Sequence, residues 1–440
     1  MTAPAGDTIA ARATPPGHGG VGVIRISGPD ADTIAAAIVG ALPAPRTAAL
    51  RSFRAHDGRA LDQGLVLRFP APASYTGEDV VELHGHGGPG VLDAVLERVL
   101  ALGARPAGPG EFTQRAFVNG RIDLAQAEAV ADLIDSADSA GARAAMRSLS
   151  GEFSARVHAL AEELTALRAW IEAALDFPDD DVDFLADTAL ARRLDTLADD
   201  VAAVHAAADS GRRLVEGLTL VIAGAPNAGK SSLLNRLAGT DAAIVTEIAG
   251  TTRDLLRETI RIDGLPVTVI DTAGLRQSAD PIEAEGVRRA RAAADSADRV
   301  LLVIDAAEPA PEPADLPADL PVDRVYNKID LLCGAAPDDG IAVSARSGAG
   351  LDTLRAHLRA RLAGPEGVDT AFSARRRHLH ALAHAGRAIA HARNELATTG
   401  AGELAAEQLR HAQQELGTIT GTVTTEDLLG EIFGRFCIGK

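Results

Sequence analysis

The sequence predicts a multidomain chain: an α+β amino-terminal domain, then an all-α helical domain interrupted by an inserted α/β domain that opens on a phosphate-binding loop. Three observations carry this. Short strand-like runs alternate with helices and glycine turns up to about residue 120. Apolar residues then recur at helical spacing from Leu124, and again from Ala374. Between those stretches the apolar run Leu218-Thr219-Leu220-Val221-Ile222-Ala223 enters Gly224-Ala225-Pro226-Asn227-Ala228-Gly229-Lys230-Ser231. The expected segments are 1–120, 121–215, 216–364 and 365–440.

In the first segment, 21–26 reads as a strand with Val21, Val23 and Arg25 on one face and Gly22, Ile24 and Ile26 on the other. Residues 64–69 read as a second strand and 91–102 as a helix. Helices are expected over 125–136, 139–150, 153–175 and 190–210. The acidic Phe177-Pro178-Asp179-Asp180-Asp181 breaks them as a solvated loop or helix cap. Beyond the insertion, 374–398, 402–419 and 427–433 are helical again. Chain ends of a compact domain often lie close together, so one helical domain can accept an insertion. The proline-rich 309–313 reads as a surface loop inside the inserted domain.

The loop chemistry is specific because strand, glycine loop and helix come in that order. Gly224 and Gly229 let the backbone N–H groups turn inward on a phosphate, Lys230 adds a cation, and the Ser231 hydroxyl suits Mg²⁺. Downstream, the strand Arg324-Val325-Tyr326 delivers Asn327-Lys328-Ile329-Asp330. A carboxylate such as Asp330 accepts from both N1–H and the exocyclic amine of guanine, a match adenine lacks. Ser344-Ala345-Arg346, after the short strand 341–343, supplies a backbone N–H for guanine O6. The inserted domain is therefore expected to be a P-loop GTPase domain, with ATP disfavoured. Asn227, Ala228, Gly229, Lys230, Ser231 and Ser232 make up its phosphate side.

Between these motifs Asp271-Thr272-Ala273-Gly274 ends a strand over 267–270. Asp271 suits Mg²⁺ through water, and the Gly274 N–H suits sensing of the γ-phosphate. Upstream, Thr252 in Gly250-Thr251-Thr252-Arg253-Asp254 suits a second hydroxyl ligand to Mg²⁺ on a switch loop. Small GTPases commonly place a water-orienting glutamine just after Gly274, but here Leu275 and Arg276 follow. The nearest acids are Asp280, Glu283 and Glu285, any of which can instead serve only as a helix-dipole partner. Glu283 is the choice, partly by reach and partly by the family resemblance given below.

Lys plus Arg number 43 against 61 Asp plus Glu, a net charge of −18. That excludes a broad basic RNA-binding face, so any RNA contact uses a local patch such as Arg375-Arg376-Arg377 or a surface shared with a partner. Two cysteines indicate no disulfide framework. No uncharged stretch approaches membrane-spanning length and the start lacks a signal pattern, so a cytoplasmic protein is expected.

Taken together, the chain resembles the MnmE (TrmE) family of tRNA-modification GTPases along essentially its whole length. The resemblance rests on the nucleotide motifs, 13–22, Tyr75-Thr76-Gly77-Glu78-Asp79, Gly85-His86-Gly87-Gly88, Arg105-Pro106-Ala107-Gly108-Pro109-Gly110-Glu111-Phe112, and most specifically Phe436-Cys437-Ile438-Gly439-Lys440. It implies modification of carbon 5 of the tRNA wobble uridine with an FAD-binding partner, MnmG (GidA), using GTP and a folate such as 5-formyl-tetrahydrofolate. It implies K⁺ ligation by Asn227, Thr246, Ile248 and Thr251, and a catalytic role for Glu283 in orienting water. It places a folate site at Arg25, Glu82, Arg121 and Lys440, with Arg121 standing where lysine is expected. Stimulation by K⁺ implies facing GTPase domains, hence a homodimer whose constant contact is the amino-terminal domain. The alternative is a regulatory GTPase switch in RNA or ribosome assembly that performs no modification chemistry.

Two further features are read from the residues alone. His84-Gly85-His86 reads as a glycine-rich turn and His380 with His384 as a solvated helix face, since neither pair has a third metal ligand at useful spacing. Cys437 is a candidate nucleophile with Lys440 nearby, or else a small buried apolar residue.

Overall fold

The computed structural model describes residues 6–136, 139–176, 188–238, 257–262, 265–271, 297–308, 320–332, 334, 337–363, 371–434 and 436–439. The amino-terminal elements are β1 (Ile9–Arg12), β2 (Gly19–Ser27), α1 (Ala31–Val39), β3 (Ala49–Arg54), β4 (Ala60–Phe69), β5 (Val80–Gly87), α2 (Pro89–Ala101), β6 (Arg105–Pro106) and α3 (Glu111–Val118). The strands join in the order β3-β4-β5-β2-β1-β6. Ile24, Ile26, Val66, Val81 and Leu83 are buried and pack with Ile34, Ile38, Leu92, Val95 and Val99 of α1 and α2. Side chains alternate along strands, so the neighbours of these residues share the opposite face. Register places Arg25 opposite Glu82, and His84 opposite both Val23 and Leu65. Val21, Leu50 and Leu65 are exposed on that same face.

His84-Gly85-His86 is not the turn its glycine suggests: it lies inside β5. A Cβ at Gly85 would fall 2.3 Å from Asp62 Oδ2 and 3.3 Å from the Phe53 ring. Glycine there serves close packing within the sheet, a use that sequence cannot distinguish from a turn.

The helices α4 (Leu124–Asp135), α5 (Ser139–Leu149), α6 (Glu152–Asp176) and α7 (Thr188–Glu216) follow the apolar periodicity. The last runs beyond residue 210 because Leu214 continues its buried stripe. Next come β7 (Leu218–Ala223), α8 (Lys230–Ala238), β8 (Arg257–Ile262), β9 (Leu265–Asp271), β10 (Arg299–Asp305), β11 (Val322–Asn327), β12 (Ile341–Ala342) and α9 (Leu351–Ala363). The chain finishes with α10 (Arg376–Thr399), α11 (Gly402–Thr420) and α12 (Glu426–Gly434). The acidic 177–181 and the proline-rich 309–313 lie outside the described residues.

Contacts divide the chain into two compact units, Met1–Ala131 with Leu149–Ala198 and His384–Lys440, and Asp132–Ser148 with Asp199–Ala383. In the first, α11 lies along α6: Arg168 Nη1 donates to Gln413 Oε1 at 2.6 Å, and Gln413 Nε2 donates to Thr165 Oγ1 at 3.0 Å. Phe117, Leu124, Ile432, Phe433 and Phe436 form an apolar cluster in the same unit.

The second unit is built on a sheet of order β12-β11-β10-β7-β9-β8, parallel except for β8. Buried parallel strands read as near-continuous apolar runs, which is why 218–223 was legible. The carboxyl ends of such strands form the edge where ligands bind. At the opposite end, the buried Arg212 side chain pairs with Asp298, whose Oδ2 accepts the Thr219 N–H at 2.8 Å. Among the described residues no helix is long and apolar enough to cross a membrane.

Candidate functional site

Strand β7 delivers the phosphate loop from a fixed base, since Leu220, Val221, Ile222 and Ala223 are all buried. Gly224 turns with φ 143°, and a Cβ there would lie 2.1 Å from the Val303 carbonyl oxygen of β10. Gly229 has φ 90°, and its Cβ would lie 2.3 Å from Asn327 Nδ2. Neither position accepts a side chain. Asn227 adopts φ 66°, a left-handed conformation that asparagine tolerates better than most residues. Lys230 opens α8 and donates from Nζ to the Gly224 and Ala225 carbonyls at 2.9 and 3.1 Å. Ser231 and Ser232 follow it, both exposed.

The loops expected to recognise the base meet this loop through one side chain. Asn327, buried at the end of β11, donates from Nδ2 to the Ala228 carbonyl at 2.9 Å and accepts the Ala345 N–H on Oδ1 at 3.0 Å. Asp330 accepts from Ser344 Oγ at 2.6 Å, which fixes the carboxylate's rotamer while leaving it exposed. In the following turn the N–H groups of Ser344, Ala345, Ser347 and Gly348 are all engaged, by Ala349 O, Asn327 Oδ1, Ser344 Oγ and Ser344 O. Among the described residues, that leaves the Arg346 N–H as the donor the turn offers. The structure thus brings together Asn227, Ala228, Gly229, Lys230, Asn327, Lys328, Asp330, Ser344, Ala345 and Arg346 on one edge of one sheet.

Sequence reading named Lys328 but missed its partner, Asp305. Lys328, at φ 66°, donates from Nζ to Asp305 Oδ2 at 2.5 Å. Burial pushes the Asp305 carboxyl up, but the Lys328 ammonium and the Ala307 N–H outweigh it and hold it below its ordinary value. The available signal was position alone: Asp305 is the last residue of β10, on the ligand-bearing edge.

Asp271 closes β9 in register with Ile222 of β7. Thr246, Ile248, Thr251, Thr252, Thr272, Ala273, Gly274, Glu283 and Lys440 lie outside the described residues, as do Asp280 and Glu285.

In the first unit, Arg25 Nε donates to Glu82 Oε1 at 2.9 Å, and His84 Nε2 contacts Glu82 Oε2 at 3.0 Å. Burial pushes the Glu82 carboxyl up, yet His84 and Arg25 together hold it below the usual range, so it is an anion at neutral pH. The Arg25 guanidinium lies 5.3 Å from the Tyr75 ring centre and 5.6 Å from that of Phe112, both within cation–π range. The Arg121 stem comes close to Gly77, where an added Cβ would meet its Cγ at 3.2 Å. The tail returns to this unit: Ile438 forms a bridge with Pro109, and the Gly110 N–H donates to the Cys437 carbonyl at 3.4 Å. Cys437 is exposed, not the small buried residue that was one reading of it, because Phe436 takes the inward position.

Residues 8–121 match the family model described as the GTP-binding protein TrmE N-terminus, and residues 124–437 match the MnmE helical domain. The tRNA modification GTPase MnmE of Alkalilimnicola ehrlichii is 56% identical over 441 residues, covering 98% of this chain and 99% of that one. The chain belongs to the MnmE family. MnmE of Methylococcus capsulatus is 55% identical over the whole of both chains, and that of Stutzerimonas stutzeri 53% over 99% of this chain and all of the other. Among solved structures, Aquifex aeolicus Era bound to GDP.AlF4− shares 30% identity at a TM-score of 0.26, over 39% of this chain and 66% of that one. As an MnmE family member the protein is a GTP hydrolase in tRNA modification.

Two of the MnmE-like motifs have a structural explanation of their own. The Arg115 side chain, 6% exposed, bonds Glu78 at 3.1 Å, Asp7 at 2.6 Å and Glu111 at 3.1 Å. Arg105 clasps Glu111 at 2.7 Å, and the Gly108 N–H donates to the same carboxylate at 2.8 Å. Glu78 and Glu111 therefore sit in 75–79 and 105–112 as partners of a buried arginine.

Proposed function

We propose that the protein is a potassium-stimulated GTPase which, with an FAD-binding partner of the MnmG (GidA) type, modifies carbon 5 of the tRNA wobble uridine with a carboxymethylaminomethyl or aminomethyl group. A folate one-carbon unit, such as that of 5-formyl-tetrahydrofolate, is the carbon source. The protein works in the cytoplasm as a homodimer, on the domain plan 1–120, 121–215, 216–364 and 365–440.

One observation carries the reading beyond a simple switch. The charged pair Arg25–Glu82 stands half-buried on the open face of the first sheet, beside Tyr75 and Phe112 and among exposed Val21, Leu50 and Leu65. A switch needs neither the pair nor the apolar face. A pterin presents acceptors and an amidine-like donor edge, which Arg25 and Glu82 complement, with Arg121 and Lys440 suited to the anionic end of a folate. The apolar face suits a second copy of the chain. Cys437, exposed beside this domain, remains the candidate nucleophile there.

On the nucleotide side, Ser231, Thr252 and, through water, Asp271 would hold Mg²⁺. Asn227, Thr246, Ile248 and Thr251 would hold K⁺, which supplies positive charge beside the β- and γ-phosphates as hydrolysis develops. Lys230 neutralises phosphate charge, Gly274 senses the γ-phosphate, and Glu283 orients the attacking water. Asp330 reads N1–H and the exocyclic amine of guanine, and the Arg346 N–H reads O6.

The test is GTP hydrolysis in K⁺ against Na⁺ at equal ionic strength, with Glu283→Ala alongside. Strong K⁺ dependence, lost in the variant, supports the proposal. Equal rates in both salts would remove the cation and leave the regulatory-switch reading. Cys437→Ser retaining full tRNA modification would end the nucleophile role.

A further inference from the structure

We propose that Asp305 is a positioning residue for guanine-nucleotide binding, acting through Lys328. Three features of the site converge on it. Lys328 is one of three non-glycine residues at positive φ among the described residues, and it sits between Asn327 and Asp330, which carry the base-recognition geometry. A lysine in a left-handed conformation persists only when its surroundings hold it. Two backbone bonds help: the Ala306 N–H donates to the Asn327 carbonyl at 2.8 Å, and the Leu331 N–H donates to the Lys328 carbonyl at 2.9 Å. The only side chain that engages the Lys328 ammonium among the described residues is Asp305, at 2.5 Å.

Asp305 is itself fixed. Its Oδ1 accepts the Ala307 N–H at 3.0 Å, and its backbone is in register with Asn327 across the β10–β11 pair. Two residues earlier on the same strand, the Val303 carbonyl is the group that forbids a side chain at Gly224. The end of β10 therefore touches the phosphate loop through Val303 and the base loop through Asp305. Anchoring the ammonium restrains the four-carbon stem of Lys328 before nucleotide arrives, so less ordering remains when the base docks against it. Asp305 lowers the ordering cost of binding and makes no contact with the base edge.

That division of labour gives a distinguishable signature. Asp305→Asn keeps an oxygen for the Ala307 N–H and removes the charge that holds Lys328. It is expected to weaken GDP about 10-fold, the usual scale for a charge-assisted bond. Inosine diphosphate, which lacks the exocyclic amine, should weaken by the same factor, because the effect comes through the stem and not through Asp330. The loss should fall on KM for GTP more than on kcat. In a double-mutant cycle, Asp305→Asn added to Lys328→Ala should cost nothing further.

Nucleotide-free thermal midpoints separate positioning from folding. If Asp305→Asn lowers that midpoint by several degrees, Asp305→Glu decides, since it keeps the charge: recovered GDP affinity supports the proposal and unrecovered affinity overturns it. The proposal also falls if Asp305→Asn binds GDP within twofold of the parent, if GDP and inosine diphosphate lose unequally, or if the Asp305 and Lys328 losses add.

Discussion

Asn327 donates to the Ala228 carbonyl at 2.9 Å, so the loop proposed to read the base and the glycine loop proposed to hold the phosphates share a hydrogen bond. Its other end accepts the Ala345 N–H, which makes one buried carboxamide the junction of three loops. Asn327→Ala leaves both backbone groups without that partner. We expect a loss of about 2–3 kcal/mol in the stability of the nucleotide-free domain, and GDP binding weakened at least tenfold. Thermal melts with and without GDP separate the two effects.

Asp330 presents a carboxylate whose rotamer is set by Ser344 Oγ. Replacing it with asparagine puts amide donors against the N1–H and amine of guanine. Asp330→Asn should therefore lose GTP by about 100-fold or more and gain xanthosine triphosphate, whose 2-oxo group accepts. Competition between the two nucleotides for a fluorescent analogue gives the ratio directly.

Acid should loosen the amino-terminal ion cluster. Burial pushes Glu111 up, but Arg105, the Gly108 N–H and Arg115 hold it below its ordinary 4.5. A carboxyl lowered on folding contributes stability above its unfolded pKa and loses it as pH falls through the folded value. The melting midpoint should therefore drop as pH falls below about 4.5, and Glu111→Gln should flatten that slope while lowering the midpoint at neutral pH.

Arg212 is the matching test in the second unit. Its side chain is 4% exposed and pairs with Asp298, itself bonded to Thr219 near the start of β7. Breaking a buried pair from one side strands the other charge, so Arg212→Ala should cost about 3–5 kcal/mol. Urea titration of the variant beside Asp298→Asn reads it.

How much of this was legible depended on whether a signal was local. The 218–231 run declares strand, loop and helix because its glycines, lysine and serine are adjacent and each has a geometric duty. Asn327 and Asp330, close together after β11, could be placed at the strand end for the same reason. Asp305 was not, because a lone aspartate at a strand end becomes meaningful only once β10 and β11 are paired. The same limit misplaced His84-Gly85-His86: glycine for close packing and glycine for a turn look alike until Asp62 and Phe53 arrive from other elements. Cys437 faces solvent because Phe436 buries beside Phe433, a choice made by tertiary packing.

The bridge between Pro109 and Ile438 carries a consequence for biosynthesis. The first unit draws on Met1–Ala131, Leu149–Ala198 and His384–Lys440, so its last piece emerges from the ribosome about 250 residues after its first. At typical translation speeds of about 5–20 residues per second, the nascent amino-terminal part of this unit waits roughly 12–50 s for the residues that complete the unit. Phe117 and Leu124 wait through that interval for Ile432, Phe433 and Phe436, the apolar side chains they pack against. Synonymous codon changes that slow elongation within 132–383 should thus raise the share of newly made protein that aggregates, with no change to any amino acid.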